Sequence, residues 1–170
     1  MNVAGQDYRI WKNENFVIES KITVSLWDER LINDFHDKLN IVLDEVHERT
    51  SLISYESKTL ISISFSEDAK VMELNNCFRK KKTTTNVLSF PSHHTFDKKL
   101  FLGDIIFSIE TIQKEANRDN KKVSDHLIHL FIHAVLHLLG YDHETEEQAK
   151  KMEDLEIKIL GNLKIDNPYK

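Results

Sequence analysis

Residues that break, bend or cross-link a chain are scarce in this sequence. Its 170 residues include four glycines, two prolines and one cysteine, with no internal repeat or low-complexity tract. Long linkers are therefore not expected, and residues 1–170 suit a single domain with a sizeable core. The lone Cys77 excludes an internal disulfide, which fits a reducing cytosol. We expect Cys77 to pack within a helix as a small side chain.

The sequence also lacks the marks of a secreted or membrane protein. Residues 1–16, MNVAGQDYRIWKNENF, have no basic start followed by an apolar run, which argues against a secretory signal. The most apolar segment, LIHLFIHAVLHLLG at 127–140, is interrupted by three histidines and is too short to span a bilayer. We therefore expect a cytoplasmic protein with no membrane partner.

An excess of positive charge is absent as well. Lysine and arginine number 23 against 28 aspartates and glutamates, a net charge of −5, whereas proteins that bind nucleic acid over a broad surface are usually basic. A nucleic-acid role must therefore rest on a local patch. The runs FRKKK at 78–82 and NRDNKK at 117–122 qualify, although a solvated loop is the simpler interpretation of either run.

Strand-like segments are spread along the chain. Alternating or β-branched apolar residues predict strands in five segments, at 15–20, 21–26, 59–66, 85–90 and 101–110. Pro91 is expected to end the fourth of these strands, because proline cannot donate to a strand ladder. The residues that follow it, 92–99, are then predicted to form a loop.

Amphipathic helices are predicted wherever apolar residues recur at spacings of three and four. They are expected at 31–46, 67–79, 110–118, 124–140 and from 145 onward. Phe78 belongs to the apolar face of the second helix. Ser124 is expected to cap the fourth, and Thr145 with Gln148 to form a capping box at the fifth. Since strands and helices do not alternate strictly, the prediction is an α+β fold, a small mixed sheet covered by helices.

The most informative stretch is HAVLHLLGYDHE at 133–144, with the pattern His-x3-His-x2-Gly-x2-His. His133 and His137 are four residues apart, so a helix places them on one face. Gly140 can end that helix in a left-handed conformation, after which the chain can bring His143 to the same point. Three neutral imidazoles leave one coordination position open, as in catalytic zinc sites. The spacing therefore predicts a metal site.

The remaining histidines have simpler explanations. A pair of histidines four residues apart is often just a polar helix face, and it is the third histidine after a glycine that favours a metal site. His126 and His129 continue the same face and are expected to pack, while His129 can also support a ligand through a hydrogen bond. His93 and His94 are expected in a solvated loop.

The residue after His133 separates two kinds of hydrolase. His-Glu-x-x-His peptidases carry a glutamate there as general base, but this chain has Ala134. Peptide hydrolysis would need a base from elsewhere. Phosphodiester cleavage asks instead for charge neutralisation on a phosphoryl oxygen and a positioned nucleophile, which a metal ion and a nearby arginine can supply.

The motif and its surroundings resemble the YbeY family of bacterial endoribonucleases, whose signature is His-Gly-x-Leu-His-Leu-x-Gly-Tyr-Asp-His. Similar segments are LNNCFRKKKTTTNVLSFP at 74–91, LGDI at 102–105 and the spacing of Met152 and Glu156. Together these similarities lie within residues 72–160. Ala134 stands in place of the usual glycine, and Asn86 in place of the usual aspartate, which removes a carboxylate from the neighbourhood of the expected cleft.

The resemblance implies one metal ion per chain, usually zinc, held by His133, His137 and His143. It implies Arg79 as a basic residue facing that ion across a cleft, so that Arg79 and His133 are the catalytic candidates. The implied substrate is single-stranded ribosomal RNA, in 3′-end maturation of 16S rRNA and in ribosome quality control. Asp142, beside the site, is a weaker candidate for general base than for a turn residue.

Two alternatives to an endoribonuclease stay open at the level of the sequence. One is a metallohydrolase of another class, such as a peptidase, which would need a carboxylate base at the metal. The other is a ribosome assembly factor whose metal only stabilises the fold. The acidic net charge fits docking on small-subunit components as well as it fits RNA cleavage.

Overall fold

The architecture follows the mixture of strand and helix patterns. The computed structural model describes residues 5–23, 25–50 and 58–170. Within them the strands are β1 (Gln6–Lys12), β2 (Phe16–Thr23), β3 (Lys58–Ser66), β4 (Val87–Phe96) and β5 (Lys99–Ser108). The helices are α1 (Glu29–Thr50), α2 (Asp68–Arg79), α3 (Ile109–Arg118), α4 (Val123–Leu138) and α5 (Glu146–Asn162). No helix of this described part has both the length and the apolar character needed to cross a membrane.

One mixed sheet organises the described residues. Its strand order is β1-β2-β3-β5-β4. The pairs β2–β3 and β3–β5 are parallel, and the outer pairs β1–β2 and β4–β5 are antiparallel. The parallel step from β2 to β3 uses α1 as its crossover helix, as parallel pairing requires. The prediction of an α+β fold with a mixed sheet and a histidine-bearing helix is confirmed.

The main core lies on one face of the sheet, under α1, α3, α4 and α5. Successive side chains of β5 point to opposite faces of the sheet. Ile105 and Phe107 therefore belong to the main core, while Ile106 joins a smaller cluster on the other face, under α2. Phe35 of α1 meets Phe131 of α4 with ring centroids 5.1 Å apart. Helix α4 is therefore packed against the sheet and three neighbouring helices, α1, α3 and α5.

Helix α4 is apolar almost all round, which explains its central position. Ten of its 16 residues are buried. It starts one residue earlier than predicted, and Lys122 rather than Ser124 occupies the N-cap position, without a side-chain cap. Gly140 has φ +88°, the left-handed conformation expected after the helix. The capping box of Thr145 and Gln148 at α5 is confirmed.

Strand β4 contradicts the prediction that Pro91 ends a strand. The strand continues through Pro91 to residue 96, and residues 92–99 form the end of a β-hairpin rather than a loop. The proline is accommodated for two reasons. Strand β4 is an edge strand of the sheet, and its pairing with β5 shifts register between Pro91 and His94. Opposite this shift Gly103 has φ +148°, and a Cβ there would lie 2.2 Å from the Phe90 carbonyl oxygen.

The last turns of α2 are more exposed than predicted. Val71 and Asn75 are its buried residues, and Cys77 is exposed because it lies on the opposite face of the helix. Phe78 lies beyond them, where α2 reaches the edge of the sheet and Phe90 of β4 is its aromatic neighbour. The expectation that Cys77 packs inside was wrong.

The N-terminal strands also differ from the prediction. Segments 15–20 and 21–26 were expected as two strands, but one strand, β2, covers 16–23, and residue 24 lies outside the described residues. The additional strand β1 was missed. Half-buried and exposed residues alternate along most of β1, but the exposed positions include Tyr8 and Ile10, so its sequence shows no alternation of polar and apolar residues.

Candidate metal centre and cleft

Three histidine side chains meet at the C-terminal end of α4. His133 and His137 project from the last turns of the helix, and the turn after Gly140 returns His143 to them. One ring nitrogen from each histidine can be chosen so that all three lie within 4.8 Å of one another. The structure thus brings together the three residues that the spacing predicted, here called the histidine triad.

Hydrogen bonds at the far side of two rings set their tautomers. His133 Nδ1 lies 2.8 Å from the Glu156 carboxylate, and His137 Nδ1 lies 2.9 Å from the Tyr141 carbonyl oxygen. Both partners only accept, so each Nδ1 donates a proton and each Nε2 carries a lone pair. These two Nε2 atoms face each other at 3.1 Å.

Two facing lone pairs repel unless a cation lies between them. Two imidazole nitrogens bound to one tetrahedral zinc ion are separated by roughly 3.3 Å, close to the observed 3.1 Å. Burial lowers the pKa of His137, and the neighbouring His133 and His143 lower it further. A neutral imidazole is the form that binds a metal. The donor set therefore fits a transition-metal ion such as zinc.

A buried carboxylate, Glu156 of α5, supports the triad. It is fully buried and accepts hydrogen bonds from His133 and from His129, each at 2.8 Å, and from the Tyr169 hydroxyl. Burial alone would raise the pKa of Glu156, but the three donors outweigh it and hold the pKa at about 2. Burial and Glu156 together raise the pKa of Tyr169. Glu156 thus stays ionised and aligns the His133 ring, as carboxylates behind metal-binding histidines do.

The triad opens into a cleft of about 520 Å³. His137 and His143 line the cleft, and so does Arg79 from the last turn of α2. The Arg79 side chain is exposed, and among the described residues it has no hydrogen-bonding or ionic partner. Lys81 adds a second cation to the lining. A cationic group and a metal-binding group therefore face one space, as cleavage of a phosphodiester requires.

Comparison with known proteins identifies the family. The chain matches the family model described as Endoribonuclease YbeY over residues 12–164. The chain belongs to the YbeY family. It is 40% identical over 148 residues to the Endoribonuclease YbeY of Bartonella henselae, covering 84% of this chain and 89% of that protein. It is 38% identical over 156 residues to that of Bartonella quintana, covering 89% and 96%.

The YbeY match extends beyond the motifs. It begins at residue 12, whereas the motif similarities begin at residue 72, so the family model covers residues 12–71 as well. Among solved structures, the solution structure of TM1509 from Thermotoga maritima has a TM-score of 0.48 and 24% identity to this chain. That comparison covers 79% of this chain and 85% of the other.

Asn86, which stands where the YbeY family usually has an aspartate, is not part of the cleft lining. Asn86 donates to Glu115 of α3 at 2.9 Å, and His126 donates to the same carboxylate oxygen at 2.8 Å. These two hydrogen bonds join the residue that precedes β4 to helices α3 and α4. The expectation that Asn86 removes a charge from the cleft is therefore replaced by a structural role, in which an amide can donate where an aspartate could only repel Glu115.

The other candidate residues lie in a turn, behind the triad and on an edge strand. Asp142 lines the cleft, and its carboxylate accepts the His143 backbone N–H at 2.8 Å, which is the behaviour of a turn residue. His129 does support the triad, through Glu156. His93 and His94 are on the exposed edge of β4, not in a loop.

The roles of Glu156 and Tyr169 were not predicted from the sequence. The sequence does contain one indication for Glu156, because this glutamate interrupts the apolar stripe formed by Met152, Leu155 and Ile159 on α5. A charged residue on a buried face is rarely left unpaired. Tyr169 carried no comparable signal.

Proposed function

We propose that this protein is a metal-dependent endoribonuclease that hydrolyses single-stranded RNA. The observation that carries the proposal is the pair of Nε2 lone pairs facing each other at 3.1 Å, in a cleft shared with Arg79. Membership of a family of endoribonucleases favours this function over the peptidase and the assembly factor. Consistent with that, the peptidase glutamate position holds Ala134, which is fully buried in the core.

The finer proposal concerns the metal and the biological substrate. One zinc ion per chain would be held by His133, His137 and His143, because neutral imidazoles suit zinc and three protein ligands leave room for substrate. We further propose 16S ribosomal RNA as the substrate, in 3′-end maturation and ribosome quality control on the small subunit in the cytoplasm. Residues 1–170 are proposed to act as one domain.

Each residue of the site then has a defined task. When bound, the metal ion supplies Lewis acidity to the phosphodiester. His133 is held in its ligand tautomer by Glu156, and His137 by the Tyr141 carbonyl. Arg79 is free to place its planar, permanently charged guanidinium on a phosphate oxygen and to stabilise the charge that develops there.

The first test measures metal and cleavage on the same sample. Purified protein is analysed for bound metal and assayed on single-stranded RNA and on casein, before and after chelation. We expect about one metal ion per chain and chelator-sensitive cleavage of RNA only. His137→Ala should lose both metal and activity, whereas His94→Ala should keep both, because His94 is exposed and is neither in the triad nor in the cleft lining. Chelator-sensitive cleavage of casein with RNA left intact would establish the peptidase instead.

The second test separates an enzyme from an assembly factor. Arg79→Lys keeps the charge but loses the planar fork, so RNA cleavage should fall by about ten- to a thousandfold with metal content unchanged. Lys81→Ala should cause only a mild, salt-dependent loss of affinity. Unchanged cleavage in a folded, metal-loaded Arg79→Ala protein would remove Arg79 from the mechanism.

A further inference from the structure

An aromatic side chain is exposed next to Arg79. Phe78 is 64% exposed, although it ends the apolar stripe of α2. Its ring lies beside that of Phe90, with centroids 5.1 Å apart and planes tilted by 59°, and Phe90 is half-buried. Single exposed apolar residues are ordinary. Here, however, two aromatic rings are adjacent and one face of the pair is uncovered.

The two rings line a cavity that is separate from the metal cleft. It lies between α2 and the outer face of the sheet and has a volume of about 660 Å³, within the range of small-molecule sites. Its apolar lining is Leu74, Phe78, Phe90 and Ile106. Hydroxyl groups of Thr23, Ser64 and Ser66 provide polar lining. The cavity therefore offers both an aromatic surface and hydrogen-bonding groups.

The cavity and the metal cleft meet along the same two segments of chain. On α2, Phe78 lines the cavity and its neighbour Arg79 lines the cleft. On β4, Phe90 lines the cavity while Ser89 and Pro91 line the cleft, because successive side chains of a strand point to opposite faces. Cα atoms of bonded neighbours are about 3.8 Å apart. One nucleotide can thus contact Arg79 with its phosphate and Phe78 with its base.

The charges of the cavity favour a base over a phosphate. Glu67 and Asp104 line it, and Asp104 is exposed. Of the two lysines in the lining, Lys70 is already paired with Glu73 at 2.7 Å. The other, Lys21, lies over the Tyr8 ring, so a phosphate would meet two carboxylates with one remaining lysine, whereas the edge of a base can donate to the carboxylates. The phosphate is better placed at Arg79.

We propose that Phe78 and Phe90 form a stacking subsite for the base of a nucleotide next to the cleaved phosphate of single-stranded RNA. This proposal rests on the endoribonuclease function, and base stacking would explain a preference of the enzyme for single strands. A base can stack on an aromatic side chain only when it is released from its own helix, and stacking of this kind tolerates any base because each has a π face.

The test compares RNA affinity in metal-loaded protein. A fluorescent single-stranded 2′-O-methyl oligoribonucleotide is titrated by anisotropy, alongside a base-free ribose-phosphate oligomer of equal length. Phe78→Ala should bind the oligoribonucleotide about tenfold or more weakly, and Phe78→Trp should restore the affinity. The preference of wild-type protein for the oligomer with bases should shrink in Phe78→Ala. Met72→Ala, which removes another exposed apolar side chain of α2, is the matched control and should change nothing.

Cleavage of unmodified RNA separates this subsite from the proposed function. Metal content and folding should be unchanged in Phe78→Ala, because its ring is largely exposed, and kcat/KM should fall mainly through KM. If wild-type protein cleaves RNA and Phe78→Ala binds and cleaves it equally well, the subsite is wrong and the enzyme stands. If wild-type protein neither binds nor cleaves RNA, the proposed function fails first. Equal RNA affinity with loss of a bound protein partner would make this cavity a protein-docking surface and overturn the stacking proposal.

Discussion

Glu156→Gln is the substitution that best tests how the histidine triad is organised. It preserves the volume of a fully buried side chain but replaces one carboxylate oxygen with an NH2 group. One oxygen of Glu156 accepts from His133, and the other accepts from His129 and Tyr169. The amide oxygen should turn toward the side with two donors, which leaves the NH2 group facing His133 Nδ1.

That arrangement selects the wrong tautomer of His133. Facing an NH2 donor, Nδ1 must accept, and the ring proton then moves to Nε2, the atom that carries the ligand lone pair in the wild-type site. A hydrogen bond to a charged group is worth about 1.5–3 kcal/mol. Since 1.4 kcal/mol is a factor of ten, metal affinity should fall by roughly 10- to 100-fold, the range typical for partners behind metal-binding histidines.

The assay is a competition between metal-loaded protein and a chromogenic chelator. Urea unfolding of the metal-free proteins, run in parallel, separates lost metal affinity from lost stability. Asp154→Asn makes the same change of charge on the exposed face of α5 and should bind metal like the wild type. A folded Glu156→Gln protein with unaltered metal affinity would refute the reasoning about the tautomer.

Three further predictions concern the fold and the pH dependence of the site. Gly103→Ala should lower the free energy of unfolding by more than about 2 kcal/mol, because its Cβ would meet the Phe90 carbonyl oxygen at 2.2 Å; urea denaturation measures this. Although burial opposes it, hydrogen bonds from Ser108 and Thr111 lower the pKa of Asp68, so the stability advantage of wild type over Asp68→Asn should be present at neutral pH and shrink below about pH 4. Burial and the neighbouring histidines lower the pKa of His137, so metal occupancy should persist to a pH below the ordinary histidine pKa of about 6.5 and be lost in stronger acid, as elemental analysis after dialysis would show.

The parts of the site that depend on local spacing could be predicted from the sequence. His133, His137 and Gly140 belong to one helix and its end, so periodicity alone places them. Glu156 could not be assigned in that way, because its contact with His133 joins two helices across 23 residues. The apolar stripe of α5 indicates that Glu156 lies on its buried face, but the sequence does not show which residue of α4 it meets.

Tertiary context also explains where local rules failed. Pro91 should stop a strand, but the sheet places it on an edge strand next to a register shift, where its missing N–H costs little. Phe78 continues an apolar stripe, but it lies at the end of α2 beside the edge strand β4, where most of its side chain stays exposed. Pro91 lines the cleft, and Phe78 precedes Arg79, which also lines it, so both errors lie where function rather than packing can decide which residue is kept.

The histidine triad and Arg79 are held differently, and this decides how each can be studied. His133 and His137 belong to the most buried helix, and Glu156 behind them is fully buried, so a change there alters packing and hydrogen bonding together with metal binding. Arg79 is exposed at the end of α2 and has no partner among the described residues, so its removal should leave the free energy of unfolding within about 0.5 kcal/mol of wild type. Buried ligands beside an exposed cation are a consistent arrangement, because the metal site needs preorganisation while the arginine must reach an entering strand. Variants of Arg79 therefore report on the chemistry alone, whereas variants of the triad report on chemistry and stability at once.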